Sequence, residues 1–427
     1  MTPALVALRR VAGSTFGSLQ VRNYRLYFIG QVVSVSGSWM QRVAQSWLVL
    51  HLTGSGVALG VVSALQFLPM LVFGAWGGAL ADRVDKRRVL MLTQAVMGFL
   101  ALALGVVTLT GSVRLWMVYL LALLLGMVTA MDNPARQSFV MEMVGRAQVT
   151  NAVSLNSAVF TGARVVGPAL AGILISLVGT GWCFVLNAVS FGAVVLALVA
   201  MDPARLQRST AAPARRGLVV EGLRFVWSRP DIRLPLAILA VVGTLALNWT
   251  VILPLLAQNT FRGGAGTYGL LFAMLGLGSL AGALFTASRR EPSGGLLLGA
   301  LAAFGVLMAA AAVAPTLQLE VLALVPTGMA ALVFQTTSNS LIQLRSEPAL
   351  RGRVMALYSV LFIGTTPIGA PIVGWVAQQA GPRAALLLGA AAILATAAAA
   401  AWLARSRHVF EARPRERPAA TQREGAV

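Results

Sequence analysis

The stretch Gly77–Leu90 reads GGALADRVDKRRVL and separates two long apolar segments, residues 57–76 and 89–108. Six charged side chains fall within seven positions of it, namely Asp82, Arg83, Asp85, Lys86, Arg87 and Arg88. Each flanking segment has about the 20 residues that an α-helix needs to cross the hydrocarbon core of a bilayer. We therefore predict a tight polar hairpin at a membrane surface.

The composition of the whole chain indicates a membrane protein. Of its 427 residues, 58% are hydrophobic and 11% are charged, whereas soluble domains carry roughly 25% charged residues. The apolar runs are long and do not alternate with the two-residue period of barrel strands. At roughly 30–35 residues for each span and its connection, the chain has room for about twelve helices.

An internal repeat divides these helices into two groups. A shift of 202 residues places Gly167 on Gly369 and Gly172 on Gly374. Two related halves of this kind are typical of secondary transporters. We predict an all-α integral membrane protein with twelve transmembrane helices in two pseudo-symmetric six-helix halves.

The net charge of +20 is explained by topology rather than by nucleic-acid binding. Of the 33 Lys and Arg residues, 28 fall in segments assigned to one side of a twelve-helix arrangement and three fall on the other side. The positive-inside rule then places both termini in the cytoplasm. We expect the first span to act as an uncleaved insertion signal, which places the protein in a plasma (inner) membrane. The remaining two, Arg42 and Arg164, lie within spans.

Charge and proline content predict five segments. These are a basic N-terminal arm (1–21), a first six-helix half (22–201), a cytoplasmic connection with an amphipathic helix near 217–227 (202–231), a second half (232–404) and a disordered tail (405–427). Within the first half we expect a helix over 115–130, followed by an inner loop over 131–148.

The opening stretch also resembles a known signature. Its spacing, Gly78-x-Leu80-Ala81-Asp82-Arg83-x-x-x-Arg87-x-x-Leu90, is similar to the loop between helices 2 and 3 of the major facilitator superfamily, except that Asp85 stands where that family usually has glycine. The resemblance implies a facilitator-type transporter. It assigns Gly78, Asp82, Arg83 and Arg87 to a latch that holds the two halves closed on the cytoplasmic side.

A second motif resembles the helix 5 signature of antiporters in the same family. Gly167, Pro168 and Gly172 match its core, and Arg164 precedes them in the same helix. In that family the motif accompanies export rather than uptake, and the branch that exports drugs, macrolides and enterobactin is the most similar. A close-packed helix rich in Gly and Pro is the alternative, since glycines also let helices approach one another.

Polar residues within spans are candidates for a substrate cavity, because such residues are costly in lipid. Arg42 could instead reach the outer headgroups, and Arg164 could serve as a structural anchor. The full set of candidates is Gln41, Arg42, Gln45, Asn156, Arg164, Asn248, Trp249 and Gln335.

Several kinds of chemistry find no support in the sequence. One cysteine, Cys183, and two histidines make neither a disulfide nor a metal site. There is no glycine-rich ATP-binding loop of the GxxxxGK type and no catalytic nucleophile with a base. We therefore expect no enzyme activity, no cofactor and no metal.

The predicted function is secondary export of amphipathic organic compounds, such as drugs, macrolide-like natural products or siderophores. We expect alternating access with proton antiport, and Asp132 is the candidate proton carrier because no acidic residue lies nearer mid-membrane. The expected partners are a small-molecule substrate, protons and the lipid bilayer, with no nucleic acid and a monomeric state. An uptake carrier for a small solute and a non-transporting membrane sensor are the alternatives.

Overall fold

The computed structural model describes residues 16–81, 84–207, 218–289, 291–348 and 350–406. All regular structure in these ranges is helical. Two predicted latch residues, Asp82 and Arg83, lie outside the described residues, as do residues 1–15 of the predicted arm, the middle of the connection and all but the start of the tail.

The first half contains five helices, of which one is very long. In chain order they are α1 (Arg22–Thr53), α2 (Gly56–Ala81), α3 (Lys86–Leu109), α4 (Leu115–Val178) and α5 (Thr180–Val199). A short helix, α6 (Leu218–Ser228), follows in the connection, where Leu223 and Trp227 are exposed.

The second half is built from shorter pieces. They are α7 (Pro230–Leu245), α8 (Trp249–Leu255), α9 (Ala265–Ser288), α10 (Gly294–Ala312), α11 (Leu317–Arg345), α12 (Arg351–Gly364), α13 (Thr366–Ala380) and α14 (Pro382–Ser406).

The helices account for twelve spans. Within the described residues, ten segments are long and apolar enough to cross a membrane, with α7–α8 and α12–α13 each counted as one. The 64-residue α4 is broken at Gly145 and so supplies two spans, and the more polar α1 supplies the twelfth. The predicted all-α membrane fold is confirmed.

The predicted inner loop over 131–148 is wrong, because the chain stays helical through most of it. The α4 helix runs past Pro134 and breaks at Gly145, which has φ 70° and ψ 177°. Only glycine adopts this backbone conformation readily. The backbone N–H of Gln207 donates to the backbone carbonyl of Glu142 at 2.8 Å, so the connection after α5 packs over the break.

Two spans of the second half are interrupted where the sequence suggested continuous helices. The span that begins with α7 breaks between Leu245 and Trp249, and the one that begins with α12 breaks at Thr365. The break at Thr365 packs against the last turn of α7, since a Cβ added at Gly243 would lie 2.5 Å from Oγ1 of Thr365.

The two halves meet through glycines on one side of the molecule. We call this the charge-poor side, and it carries the turns at Gly54, Gly111 and Gly179. A Cβ added at Gly269 in α9 would lie 2.7 Å from the Cα of Gly172 in α4. Gly56 in α2 and Gly374 in α13 touch in the same way. The helices therefore approach closely enough to close this side.

The opposite side, which we call the basic side, carries Lys86, Arg205 and Arg345. There the face of α4 that contains Val153, Ser157 and Phe160 is exposed. These residues are spaced for one helical face, and that face continues upward to Arg164. In the part of the chain that the structure describes, the molecule is closed on the charge-poor side and open on the basic side.

We predict that Gly172→Val prevents closure of the charge-poor side, because the added methyl groups meet the backbone of α9. Gly162→Val is the matched control, since a Cβ at Gly162 meets nothing within 4 Å. The readout is labelling by an impermeant maleimide of Ala265→Cys, at a position that is buried opposite Gly172, in a Cys183→Ala background. Labelling should rise with Gly172→Val and stay unchanged with Gly162→Val. Equal labelling of the two variants would contradict the close-packing explanation.

Candidate transport cavity

A cavity of about 390 Å³ lies between the two halves. Its size falls in the range of small-molecule sites, roughly 300–1,000 Å³. Each half contributes about half of the wall. The first half provides Trp39, Arg42, Gln66, Phe67, Met70, Gly126, Thr129, Asn133, Phe160 and Arg164, and the second provides Leu247, Trp249, Thr250, Phe272, Leu275, Ser279, Gly328, Ala331, Gln335, Phe362, Ile363 and Thr366.

The charged part of the wall consists of two arginines that share one aromatic ring. The guanidinium carbon of Arg42 lies 4.6 Å from the ring centroid of Trp39, and that of Arg164 lies 5.3 Å from it. Trp39 and Arg42 are three residues apart in α1 and so project from one face. Cation–π attraction to the indole steadies both side chains.

No acidic side chain among the described residues balances these charges. The described residues that line the cavity include no Asp or Glu. Throughout the described ranges, neither guanidinium has a carboxylate oxygen within 4 Å. The cavity wall therefore carries a net positive charge.

The second half lines the cavity with its broken helices. Leu247, Trp249 and Thr250 come from the α7–α8 break, and Ile363 and Thr366 flank the α12–α13 break. Irregular backbone inside a membrane is tolerated where it is buried in protein or faces a water-filled cavity. Discontinuous helices of this kind form the binding sites of many transporters.

The structure places half of the predicted cavity residues on the wall and half elsewhere. Arg42, Arg164, Trp249 and Gln335 line the cavity. Within the described residues the lining does not include the other four, which are Gln41, Gln45, Asn156 and Asn248.

The four predicted residues that do not line the cavity lie elsewhere in the helices. Gln41 accepts a hydrogen bond of 2.5 Å from the side-chain amide of Asn187, so its face of α1 packs on α5 rather than lining the cavity. Gln45 is buried one turn further along. The side-chain amide of Asn248 donates to the backbone carbonyl of Thr244 at 2.7 Å and so satisfies an acceptor in the last turn of α7. Asn156 is half-buried on α4.

Sequence reasoning also missed several wall residues. Trp39 lies one turn before Arg42 and could have been found by helical spacing. The aromatic residues Phe67, Phe160, Phe272 and Phe362 carry no such signal, because phenylalanine faces lipid as readily as a cavity.

Asp132, the candidate proton carrier, lies behind the wall in a buried polar cluster. Its carboxylate accepts hydrogen bonds from Oγ1 of Thr93 at 2.7 Å, from Nε2 of Gln94 at 2.8 Å and from the Arg136 guanidinium. Arg136 in turn donates to Oε1 of Gln31 at 2.8 Å. The cluster joins α1, α3 and α4, and the next residue, Asn133, lines the cavity.

The opening hairpin makes contacts within the first half. Arg87 donates to the carbonyls of Leu198 and Val199 at 2.7 and 3.1 Å, so it caps the last turn of α5. Lys86 forms a buried ion pair of 2.7 Å with Glu142. Gly78 lies near the end of α2. For Arg87 these bonds differ from the predicted role of bridging the halves.

The helix 5 motif divides between two neighbours. Gly167 packs against α1 beside Trp39 and Ser36, whereas Gly172 packs against Gly269 in the other half. The carbonyl of Pro168 also reaches Gly269. The motif therefore forms part of the contact that closes the charge-poor side.

Comparison with known proteins agrees with this architecture. The family described as "Transmembrane secretion effector" matches residues 13–419. The chain belongs to this family. It is 30% identical to the multidrug efflux pump Tap of Mycolicibacterium fortuitum, over 90% of this chain and 96% of that protein. It is 25% identical to the enterobactin exporter EntS of Citrobacter koseri, over 84% of this chain and 86% of that protein.

Solved structures show the same fold. The nucleoside transporter NupG superposes with a TM-score of 0.70 at 15% identity, covering 90% of this chain and 99% of that one. The predicted membership of the major facilitator superfamily is confirmed, as is its branch of drug and siderophore exporters. The chain is a multi-pass membrane transporter and not an enzyme.

We predict that Asp132→Ala destabilises the protein strongly, because it leaves the Arg136 charge buried without its partner. Loss of one member of a buried pair costs about 3–5 kcal/mol. The melting temperature in detergent should fall well below that of the Arg205→Gln control, whose pair with Asp202 is exposed and worth about 1 kcal/mol or less. A double variant, Asp132→Leu with Arg136→Leu, should recover part of the loss. Equal melting temperatures for Asp132→Ala and the control would show that the cluster is not structural.

Proposed function

We propose that this transporter exports amphipathic organic compounds by alternating access. The observation that carries the proposal is a cavity built from both halves, closed by glycine contacts on the charge-poor side and open on the basic side. Rocking the halves about this cavity would expose it to each side of the membrane in turn.

The direction of loading follows from the distribution of charge. Basic residues concentrate on the open side, and the positive-inside rule assigns that side, with both chain termini, to the cytoplasm. The cavity is then accessible to compounds in the cytoplasm or the inner leaflet, as an exporter in its loading state requires.

The wall suits a partly apolar substrate. Aromatic groups from both halves surround a few polar groups, including Gln66, Gln335 and the two arginines. Such walls orient a ligand by a small number of polar contacts while the apolar surface supplies affinity. Drugs and siderophores, the cargo of the related exporters, fit this description.

Proton antiport would act through the cluster around Asp132 rather than by competition in the cavity. The described wall carries no acidic group, but α4 bears both Asp132 and the wall residues Thr129 and Asn133. Protonation of Asp132 would weaken its bonds to Arg136, Thr93 and Gln94 and allow α4 to shift against α1 and α3. The proton and the substrate would thus be linked through a helix.

We predict that cells expressing the protein accumulate less of its substrates than cells lacking it. The experiment uses an efflux-deficient host, a panel of fluorescent dyes, antibiotics and siderophores, and collapse of the proton gradient. Asp82→Asn, in the predicted latch, and Arg164→Ala, on the wall, should each raise accumulation toward that of empty cells, whereas Gly162→Ala should not. Higher accumulation in wild-type cells would indicate uptake, and no change across the panel would favour the sensor alternative.

We predict that Asp132→Asn uncouples transport from proton movement. Asparagine keeps the shape and one acceptor of the carboxyl group but cannot exchange a proton at neutral pH. In proteoliposomes with a pH-sensitive dye inside, substrate addition should move protons with wild type and not with Asp132→Asn, while both should still bind substrate. Proton movement by the variant equal to that of wild type would exclude Asp132 as the carrier.

A further inference from the structure

The two cavity arginines present an unbalanced charge within the membrane-spanning part of the protein. A guanidinium at this depth is costly unless an anion or water compensates it. Described carboxylates nearby are already engaged, since Asp132 pairs with Arg136 and Glu142 pairs with Lys86. Among the residues that the structure describes, the pair is therefore without an acidic partner.

We propose that Arg42 and Arg164 bind the anionic group of the transported compound, and that the substrates are aromatic or amphipathic organic anions. This inference rests on the proposed transport function, because it specifies the substrate class of the same cavity.

The geometry allows both guanidiniums to serve one ligand. Both guanidinium carbons lie within 5.3 Å of the Trp39 ring centroid, so the two groups border the same part of the cavity wall. Cation–π contact leaves the N–H groups at the rim of the guanidinium available for donation. A carboxylate or a phosphate accepts two parallel bonds from such a fork.

The rest of the wall suits the organic part of the anion. The ring centroid of Phe67 lies 6.0 Å from the Arg42 guanidinium carbon, and the ring centroid of Phe272 lies 5.9 Å from that of Trp39. An aromatic body could therefore stack beside the charged pair while its anionic group meets the guanidiniums. A cationic drug would meet repulsion from both arginines.

An anionic cargo also fits outward transport. The interior of a cell is electrically negative, so the membrane potential favours movement of negative charge to the outside. An exporter of anions gains from this field in addition to any proton coupling.

The test is a binding experiment on the purified full chain in lipid nanodiscs. Two probes are compared, 1-pyrenebutyrate and its neutral amide, which share the ring and the chain but differ in charge. Wild type should bind the acid at least about 10-fold more tightly than the amide, as expected for hydrogen bonds between charged groups. Arg42→Gln and Arg164→Gln should each weaken acid binding by about 10-fold and leave amide binding nearly unchanged.

Controls separate charge from folding. Arg114→Gln removes one charge from an exposed position on the charge-poor side and should leave both affinities unchanged. Arg42→Lys and Arg164→Lys keep the charge and should retain part of the preference for the acid. Monodisperse gel filtration of each variant shows that it has folded.

Three results would overturn the proposal: equal binding of acid and amide by wild type, tighter binding of the cationic amine 1-pyrenebutylamine, or complete displacement of the acid by physiological chloride, which would indicate an inorganic anion site. Failure of this proposal is distinguishable from failure of the export proposal. Loss of charge preference with intact efflux would remove only the anion assignment, whereas selective anion binding without efflux would remove only the export assignment.

Discussion

A charge or an unpaired backbone group inside a bilayer must face protein or water, since hydrocarbon offers it no partner. In this protein, two such charges and two breaks in the helices lie at one place. The guanidiniums of Arg42 and Arg164 and the breaks at the α7–α8 and α12–α13 junctions all border the same cavity. The rest of the fold supports that convergence, because the other helices shield the cavity from lipid with continuous, internally bonded backbone.

The helices are held together by different interactions on the two sides of the molecule. On the charge-poor side, glycines in α2, α4, α9 and α13 allow backbones to touch. Across the same contact, Oε1 of Gln378 accepts hydrogen bonds from Oγ of Ser55 at 2.7 Å and from the backbone N–H of Val57 at 3.2 Å. On the basic side, ion pairs and hydrogen bonds hold the first half together, as in the Asp132–Arg136 cluster and the Lys86–Glu142 pair. Close packing and a few exposed hydrogen bonds can separate and re-form, whereas the buried polar clusters hold the helices of one half together. This difference between the two sides is compatible with the alternating-access mechanism proposed above.

Asp132 and Asn133 are adjacent in the sequence, but their side chains have different surroundings. The Asp132 carboxylate accepts hydrogen bonds from α3, while its neighbour Asn133 lines the cavity. Adjacent residues of a helix differ by about 100° in direction. A titratable group can therefore lie next to a binding site in sequence and still influence it only through the helix that carries both.

The amino-acid sequence was sufficient to give the class of fold, the number of spans and the family, because long apolar runs, clustered basic loops and the Gly78–Leu90 spacing are local properties. It also pointed to Arg42 and Arg164, since a charge within an apolar run stands out without any knowledge of its neighbours. It could not tell that Gln41 faces α5 while Arg42 faces the cavity, or that the chain stays helical from Leu115 to the break at Gly145. Those outcomes depend on which helix packs on which face, and on glycine and helix-break geometry that forms only when distant segments meet. The aromatic wall was decided in the same way, because a phenylalanine that lines a cavity and one that faces lipid are identical until the halves come together.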